Sequence, residues 1–143
     1  MDSNQFPFNL PSRVDELSSL YMGLSIKRDD LIHPIVSGNK WRKLEGFFKT
    51  ISPQMPIITY GGAYSNHLPA AAFASKLLGH PITGVVRGDE LNPKSNPLLA
   101  YCHNQGMRLE FVSRSDYRKL REHQINESEA EILPEGGAGP HAL

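Results

Sequence analysis

The chain has 143 residues, enough for one domain with a modest core. Fifteen basic residues balance fifteen acidic ones and 39% of the residues are hydrophobic, a balance that argues against a nucleic-acid tail or an acidic partner. With one cysteine, Cys102, no internal disulfide can form, and no apolar stretch approaches the ~20 residues of a membrane span, so a soluble protein of a reducing, cytoplasmic compartment is expected.

Residues 1–20 read as loop, with Pro7 and Pro11 and one weak helical turn over Val14-Asp15-Glu16-Leu17. Leu24 to Arg28 alternates apolar and polar and predicts a strand, ended by Asp29-Asp30, a solvated turn. A loop through His33-Pro34 and Ser37-Gly38 leads to a helix from Lys40 to about Thr50, stopped by Pro53. Pro56 to Tyr60 predicts a central strand, and Gly61-Gly62-Ala63-Tyr64-Ser65-Asn66 turns sharply out of it. The next helix, Asn66 to Leu78, is apolar nearly all round and therefore buried on several sides, with Gly79 closing it. Strand Ile82–Val86, helix Pro97–Gln105 and strand Arg108–Val112 follow. Ser115 to about Glu129 predicts a polar helix with frayed ends, and Glu131-Ile132-Leu133 a last strand running into a glycine-rich loop. Strands alternating with helices are the mark of βαβ units on a parallel sheet with flanking helices, an α/β fold. The expected division is 1–52 for the N-terminal segment, 53–130 for a small α/β domain, and 131–143 for the start of a truncated second domain.

One lysine stands in an unexpected place. At about 100° per residue, Lys40 falls within the apolar arc of Trp41, Leu44, Phe47, Phe48 and Ile51. A lysine there either snorkels, its stem packed and its head wet, or serves as an amine that forms an imine with a carbonyl cofactor. Gly61 to Asn66 lies at a strand-to-helix turn, where backbone N–H groups face polar cofactor groups in open sheets; capping of the helix by Ser65 or Asn66 is the structural alternative. Ser65 and His67 lack the surrounding elbow of a serine hydrolase. The six histidines show no metal spacing and read as surface or loop residues apart from His67. Cys102 reads as a small core residue, and Arg114, Arg118, Lys119 and Arg121 as a solvated helix face.

Ile26-Lys27-Arg28-Asp29-Asp30, then Ser37 to Leu44, then Gly61 to His67 together resemble the 1-aminocyclopropane-1-carboxylate deaminase / D-cysteine desulfhydrase family, over about Leu17 to Gly137. The resemblance implies the tryptophan synthase β-like fold of pyridoxal-phosphate enzymes, here incomplete. It implies that Lys40 forms the imine with pyridoxal 5'-phosphate, that Lys43 contacts the cofactor phosphate, and that Asn66 hydrogen-bonds the pyridoxal ring oxygen. Ser65 matches a serine on the substrate side, with His67 beside it. The implied reaction, in the lyase or hydrolase class, deaminates a small amino acid to ammonia and an α-keto acid, and a homo-oligomer, a dimer, is expected. Ser37 stands where many relatives have glycine. His67 stands where the plant-growth-promoting deaminases carry glutamine, which leans toward the desulfhydrase branch. The family's phosphate loop, its substrate-side tyrosine and the group facing the pyridine nitrogen have no counterpart in these residues. Two other readings stand beside the enzyme: a catalytically inactive, oligomerising small domain, and a generic phosphate-binding α/β module.

Overall fold

The computed structural model describes residues 7–122 and 129–139. Four parallel strands form the central sheet: β3 (Ile57–Gly62), β4 (Ile82–Arg87), β5 (Arg108–Val112) and β6 (Glu131–Leu133), in the order β5-β4-β3-β6. Helices α1 (Asn39–Phe48), α2 (His67–Leu78), α3 (Pro97–Asn104) and α4 (Arg114–Glu122) flank it. Successive side chains of a strand point to opposite faces. Ile57, Ile82, Val86 and Leu133 therefore join one large core with Trp41, Leu44, Phe47 and Phe48 of α1, Leu68 and the alanines of α2, and Leu99 and Cys102 of α3. Ile58, Tyr60, Val85, Val112 and Ile132 meet Tyr117 of α4 on the other face. The crossover rule accounts for this division. The chain steps from β3 to β4 to β5 in one direction and returns past both to β6, so right-handed connections put α4 opposite α2 and α3.

The helix over α1 forms where the apolar arc predicts it. Trp41, Leu44, Phe47 and Phe48 are buried, each contributing about 1.5–3 kcal/mol of apolar transfer. Cys102 is fully buried, as a core residue should be. Two expectations change. The segment expected to make a helical turn is instead strand β1 (Val14–Glu16), paired antiparallel with β2 (Ser25–Lys27), Asp15 opposite Ile26. A single helical turn satisfies few of its own backbone groups, whereas a partner strand takes them up. Second, β3 runs on through Gly61 and Gly62, which pair with Val86 and Arg87. A Cβ on Gly61 would lie 2.8 Å from Leu68 Cγ. The glycine thus lets α2 settle onto the strand end, and the turn starts only after Gly62. The last predicted helix is seen as α4, and its expected remainder (123–128) lies outside the described residues, as do His123 and His141. His80, expected at the surface, is 7% exposed, its Nδ1 3.0 Å from the Met55 carbonyl.

Candidate active site

The sheet reverses its order beside β3. The chain leaves β3 toward β4 on one side, and β6 lies on the other. Loops 63–66 and 134–139 leave neighbouring strand ends at this reversal, the place where open α/β sheets bind ligands, and the turn Glu135–Gly137 packs against α1, α2 and β3. Helix α1 crosses this end. Lys43 Nζ donates to the Gly136 carbonyl at 3.4 Å, and Lys43, Phe47, Ile51, Leu133, Pro134 and Gly139 line part of a cavity of about 190 Å³.

Lys40 sits one turn before Lys43, half-buried, and its position is built from the residues before it. Gly38 precedes α1 with φ +61° and ψ −140°, a conformation that glycine adopts without a Cβ penalty. Its N–H donates to the Asp29 carbonyl at 2.8 Å. The Asp29 carboxylate accepts from Arg42 of α1 (Nε 3.0 Å, Nη2 3.2 Å) and also from Lys27 and Ser12. These donors, Arg42 foremost, hold the Asp29 carboxyl well below the usual carboxylate range. Asp29, expected as part of a solvated turn, is in fact the brace between the N-terminal hairpin and α1. The Lys40 side chain has no hydrogen-bond or ion-pair partner among the described residues.

His67 opens α2 and is 5% exposed. Its Nε2 lies 2.8 Å from Thr59 Oγ1, and that hydroxyl lies 2.9 Å from the Leu133 carbonyl. One arrangement satisfies all three groups: Thr59 donates its single proton to Leu133 and accepts from His67 Nε2–H, leaving Nδ1 as the acceptor. Burial depresses the His67 pKa to about 4, with the positive charges of Lys40 and Lys43 acting in the same direction and Glu135 opposing them. The fold thus gathers Lys40, Lys43 and His67 within one electrostatic neighbourhood. Ser65 Oγ accepts from the His67 backbone N–H at 3.3 Å, so the serine serves α2 as a cap and makes no dyad with the imidazole. The Asn66 side chain makes no capping bond and is exposed. Two positioning residues escaped the sequence. Thr59 is one. Asn96 is the other: its Oδ1 accepts from the Leu99 N–H at 2.8 Å while its Nδ2 donates to the Ala63 carbonyl at 2.9 Å, tying the 63–66 loop to α3. Asn before Pro97 signals a helix cap, but only the fold brings Ala63 within its reach. Among the described residues no three His, Cys, Asp or Glu side chains are grouped to hold a metal ion, and no helix is long and apolar enough to cross a membrane.

No family model matches the sequence. A Pyrococcus abyssi protein provisionally named 1-aminocyclopropane-1-carboxylate deaminase is 34% identical over 144 residues, covering 94% of this chain and 43% of that protein. The bifunctional D-cysteine desulfhydrase/1-aminocyclopropane-1-carboxylate deaminase of Arabidopsis thaliana, a mitochondrial protein, is 30% identical over 126 residues, covering 84% of this chain and 31% of its own length. The chain belongs to the 1-aminocyclopropane-1-carboxylate deaminase / D-cysteine desulfhydrase family. It spans less than half the length of these relatives. The crystal structure of a homologue of the deaminase superposes with TM-score 0.63 at 24% identity, over 92% of this chain and 44% of that one. Escherichia coli diaminopropionate ammonia lyase, solved with an aminoacrylate–PLP azomethine, superposes with TM-score 0.58 at 12% identity, over 92% of this chain and 38% of the lyase. The family's parallel sheet with flanking helices is thus the fold of pyridoxal-phosphate enzymes of fold type II, as the resemblance implied. These proteins are named deaminases, a desulfhydrase and a lyase, and with the Ser65–His67 geometry this removes the hydrolase reading.

Proposed function

We propose that this chain carries the lysine side of a pyridoxal-phosphate site that deaminates or desulfhydrates a small amino acid, of the 1-aminocyclopropane-1-carboxylate or D-cysteine type, to ammonia and an α-keto acid. The observation that carries the reading is Lys40: a half-buried amine without a partner among the described residues, at the head of α1 and beside a topological switch point. The donor set fits a cofactor with one carbonyl and one phosphate. Among the described residues, Lys40 offers an unpartnered amine, Lys43 an amine that donates to the Gly136 carbonyl, and Asn66 an amide that makes no capping bond. Pyridoxal phosphate, when bound, supplies the electron sink for the carbanion chemistry. Lys40 Nζ would hold the cofactor's carbonyl end and, when not so engaged, could hold a proton as a base. Lys43 Nζ would pair with the phosphate, and the Asn66 amide would hydrogen-bond the ring oxygen. Ser65 and Asn66 face the substrate, and His67, its Nε2 committed to Thr59, presents Nδ1 as an acceptor.

A second reading, an inactive and self-associating small domain, draws on the N-terminal hairpin, where Leu20, Tyr21 and Met22 are 69%, 75% and 98% exposed. Borohydride reduction of the purified chain with added pyridoxal phosphate, followed by peptide mapping, separates the two. The expected result is a pyridoxyl group selectively on Lys40 that disappears in Lys40→Ala. Scattered or absent labelling overturns the proposal and favours the second reading. Cofactor attachment rather than turnover is the property measured, because the chain spans less than half of each relative's length.

A further inference from the structure

The arginines of α4 read in sequence as a solvated helix face. The fold adds a fourth from elsewhere. Because the chain reverses at β5 and lays α4 on the second face of the sheet, Arg87, the last residue of β4, comes to lie beside Arg114, Arg118 and Arg121. These four and Tyr117 line a cavity of about 170 Å³. Its aromatic floor is fixed: Tyr117 is 4% exposed and packs edge-on against Tyr60, ring centroids 6.1 Å apart. Arg87 Cζ stands 5.9 Å from the Tyr117 ring centroid, within cation–π range.

The charges around this cavity do not balance. Arg121 pairs with Glu135 at 3.0 Å, and Arg114 pairs loosely with Glu90 at 3.6 Å. The side chains of Arg87 and Arg118 have neither an ion pair nor a hydrogen bond among the described residues. Among the described residues, four guanidiniums against two paired carboxylates leave two cations uncompensated at one spot, in a chain whose charges sum to zero. Like charges held together repel, and a chain with no use for such a concentration has every opportunity to disperse it. Guanidinium forks match oxyanions bidentately, which ammonium groups do not.

We propose that this cavity is a binding site for a small phosphate-class dianion, whether free phosphate or the phosphate of a small monoester. Two uncompensated cations match two negative charges, which favours phosphate over a carboxylate. The site stands on the face of the sheet opposite α1, so it does not rest on the reading of Lys40 and Lys43.

The test titrates inorganic phosphate into the full chain at constant ionic strength, with chloride as the monovalent control, and follows the arginine Nε–H resonances by NMR. Saturable one-site binding is expected, with shifts at Arg87 and Arg118. Each of Arg87→Gln and Arg118→Gln should weaken it by about tenfold, the scale of one charge-assisted hydrogen bond. Arg118→Lys, which keeps the charge and the fold but loses the fork, should bind several-fold more weakly. Lys76→Gln, an exposed lysine of α2 on the opposite face of the sheet, should bind as the parent does. Non-saturating shifts, affinity unchanged in the Arg87→Gln/Arg118→Gln pair, or binding lost in Lys76→Gln would each overturn the proposal. The monoester is then distinguished from the free ion by competition: tighter displacement by phenyl phosphate than by inorganic phosphate assigns the site to monoesters, and equal displacement assigns it to the free ion.

Discussion

Thr59→Val tests the bridge between α2 and β6. Thr59 is fully buried, and its hydroxyl stands between His67 Nε2 (2.8 Å) and the Leu133 carbonyl (2.9 Å). Valine keeps the branched shape, so no cavity opens. What changes is that a buried imidazole N–H and a strand-end carbonyl both lose their partner. Each such group costs about 1–3 kcal/mol, so the variant should lose roughly 2–6 kcal/mol. That is a large share of the ~5–15 kcal/mol available to an ordinary domain. Thr59→Ser keeps the hydroxyl and gives up one methyl, a loss of about 1 kcal/mol. Urea unfolding followed by fluorescence is suited to the measurement, since Trp41 is the single tryptophan and is 2% exposed. The order wild type, Ser, Val at constant m is the expected outcome. A valine variant within about 0.5 kcal/mol of wild type, or less damaged than serine, would refute the bridge as a stabilising element.

Three further perturbations follow from single residues. His67 titrates near 4 when folded and near 6.5 when unfolded, so between those values the unfolded chain binds a proton that the folded chain refuses. Stability should fall by about 3 kcal/mol as pH drops through that window and be flat above it, and urea midpoints of His67→Gln should lack this component; parallel profiles would show that the burial of the ring carries no linkage. Gly38→Ala places a side chain at φ +61°, ψ −140° with open space around it, so its cost should be backbone strain alone, about 1–3 kcal/mol by the same unfolding assay. Gly61→Ala drives a Cβ to 2.8 Å from Leu68 Cγ and should cost about 1–3 kcal/mol, with Leu68→Ala in the same chain recovering part of it if the clash is the cause.

The sheet was legible because its strands are short apolar runs bounded by Gly, Pro and polar residues, a signal that belongs to each segment by itself. The same holds for α2, whose all-round apolar surface predicted burial between elements. What the sequence hid depends on partners far along the chain. Val14 to Leu17 reads as a helical turn until β2 is beside it. Gly61 reads as the start of a turn, because nothing local says that Leu68 will press on it. Thr59 is one more β-branched strand residue until β6 brings the Leu133 carbonyl to it, and Arg87 is a strand terminus until α4 folds back over the sheet. Lys40 stands out in the sequence for the opposite reason: helical periodicity is local, and a charge within an apolar arc violates it.

The Lys27-Arg28-Asp29-Asp30 stretch has a mechanical role. Arg28 reaches Asp15 at 2.9 Å and Asp30 at 2.7 Å, closing the hairpin, and Asp29 joins that hairpin to Arg42. Such exposed pairs add little to stability. Their effect is on geometry. Arg42 lies two residues beyond Lys40 on α1, so the bridge to Asp29 fixes the rotation of the helix about its axis at the turn where the amine emerges. The buried side chains of Trp41 and Leu44 hold the same rotation from the core side. Asp29→Asn keeps the shape and one acceptor but removes the charge that draws Arg42, Lys27 and Ser12 together. On the reading that Lys40 attaches the cofactor, this variant should unfold near the wild-type urea midpoint yet lose selectivity in borohydride labelling, with pyridoxyl groups spread to other lysines. Undiminished selectivity at Lys40 would mean that core packing alone aims the amine, and the brace would then have no part in placing it.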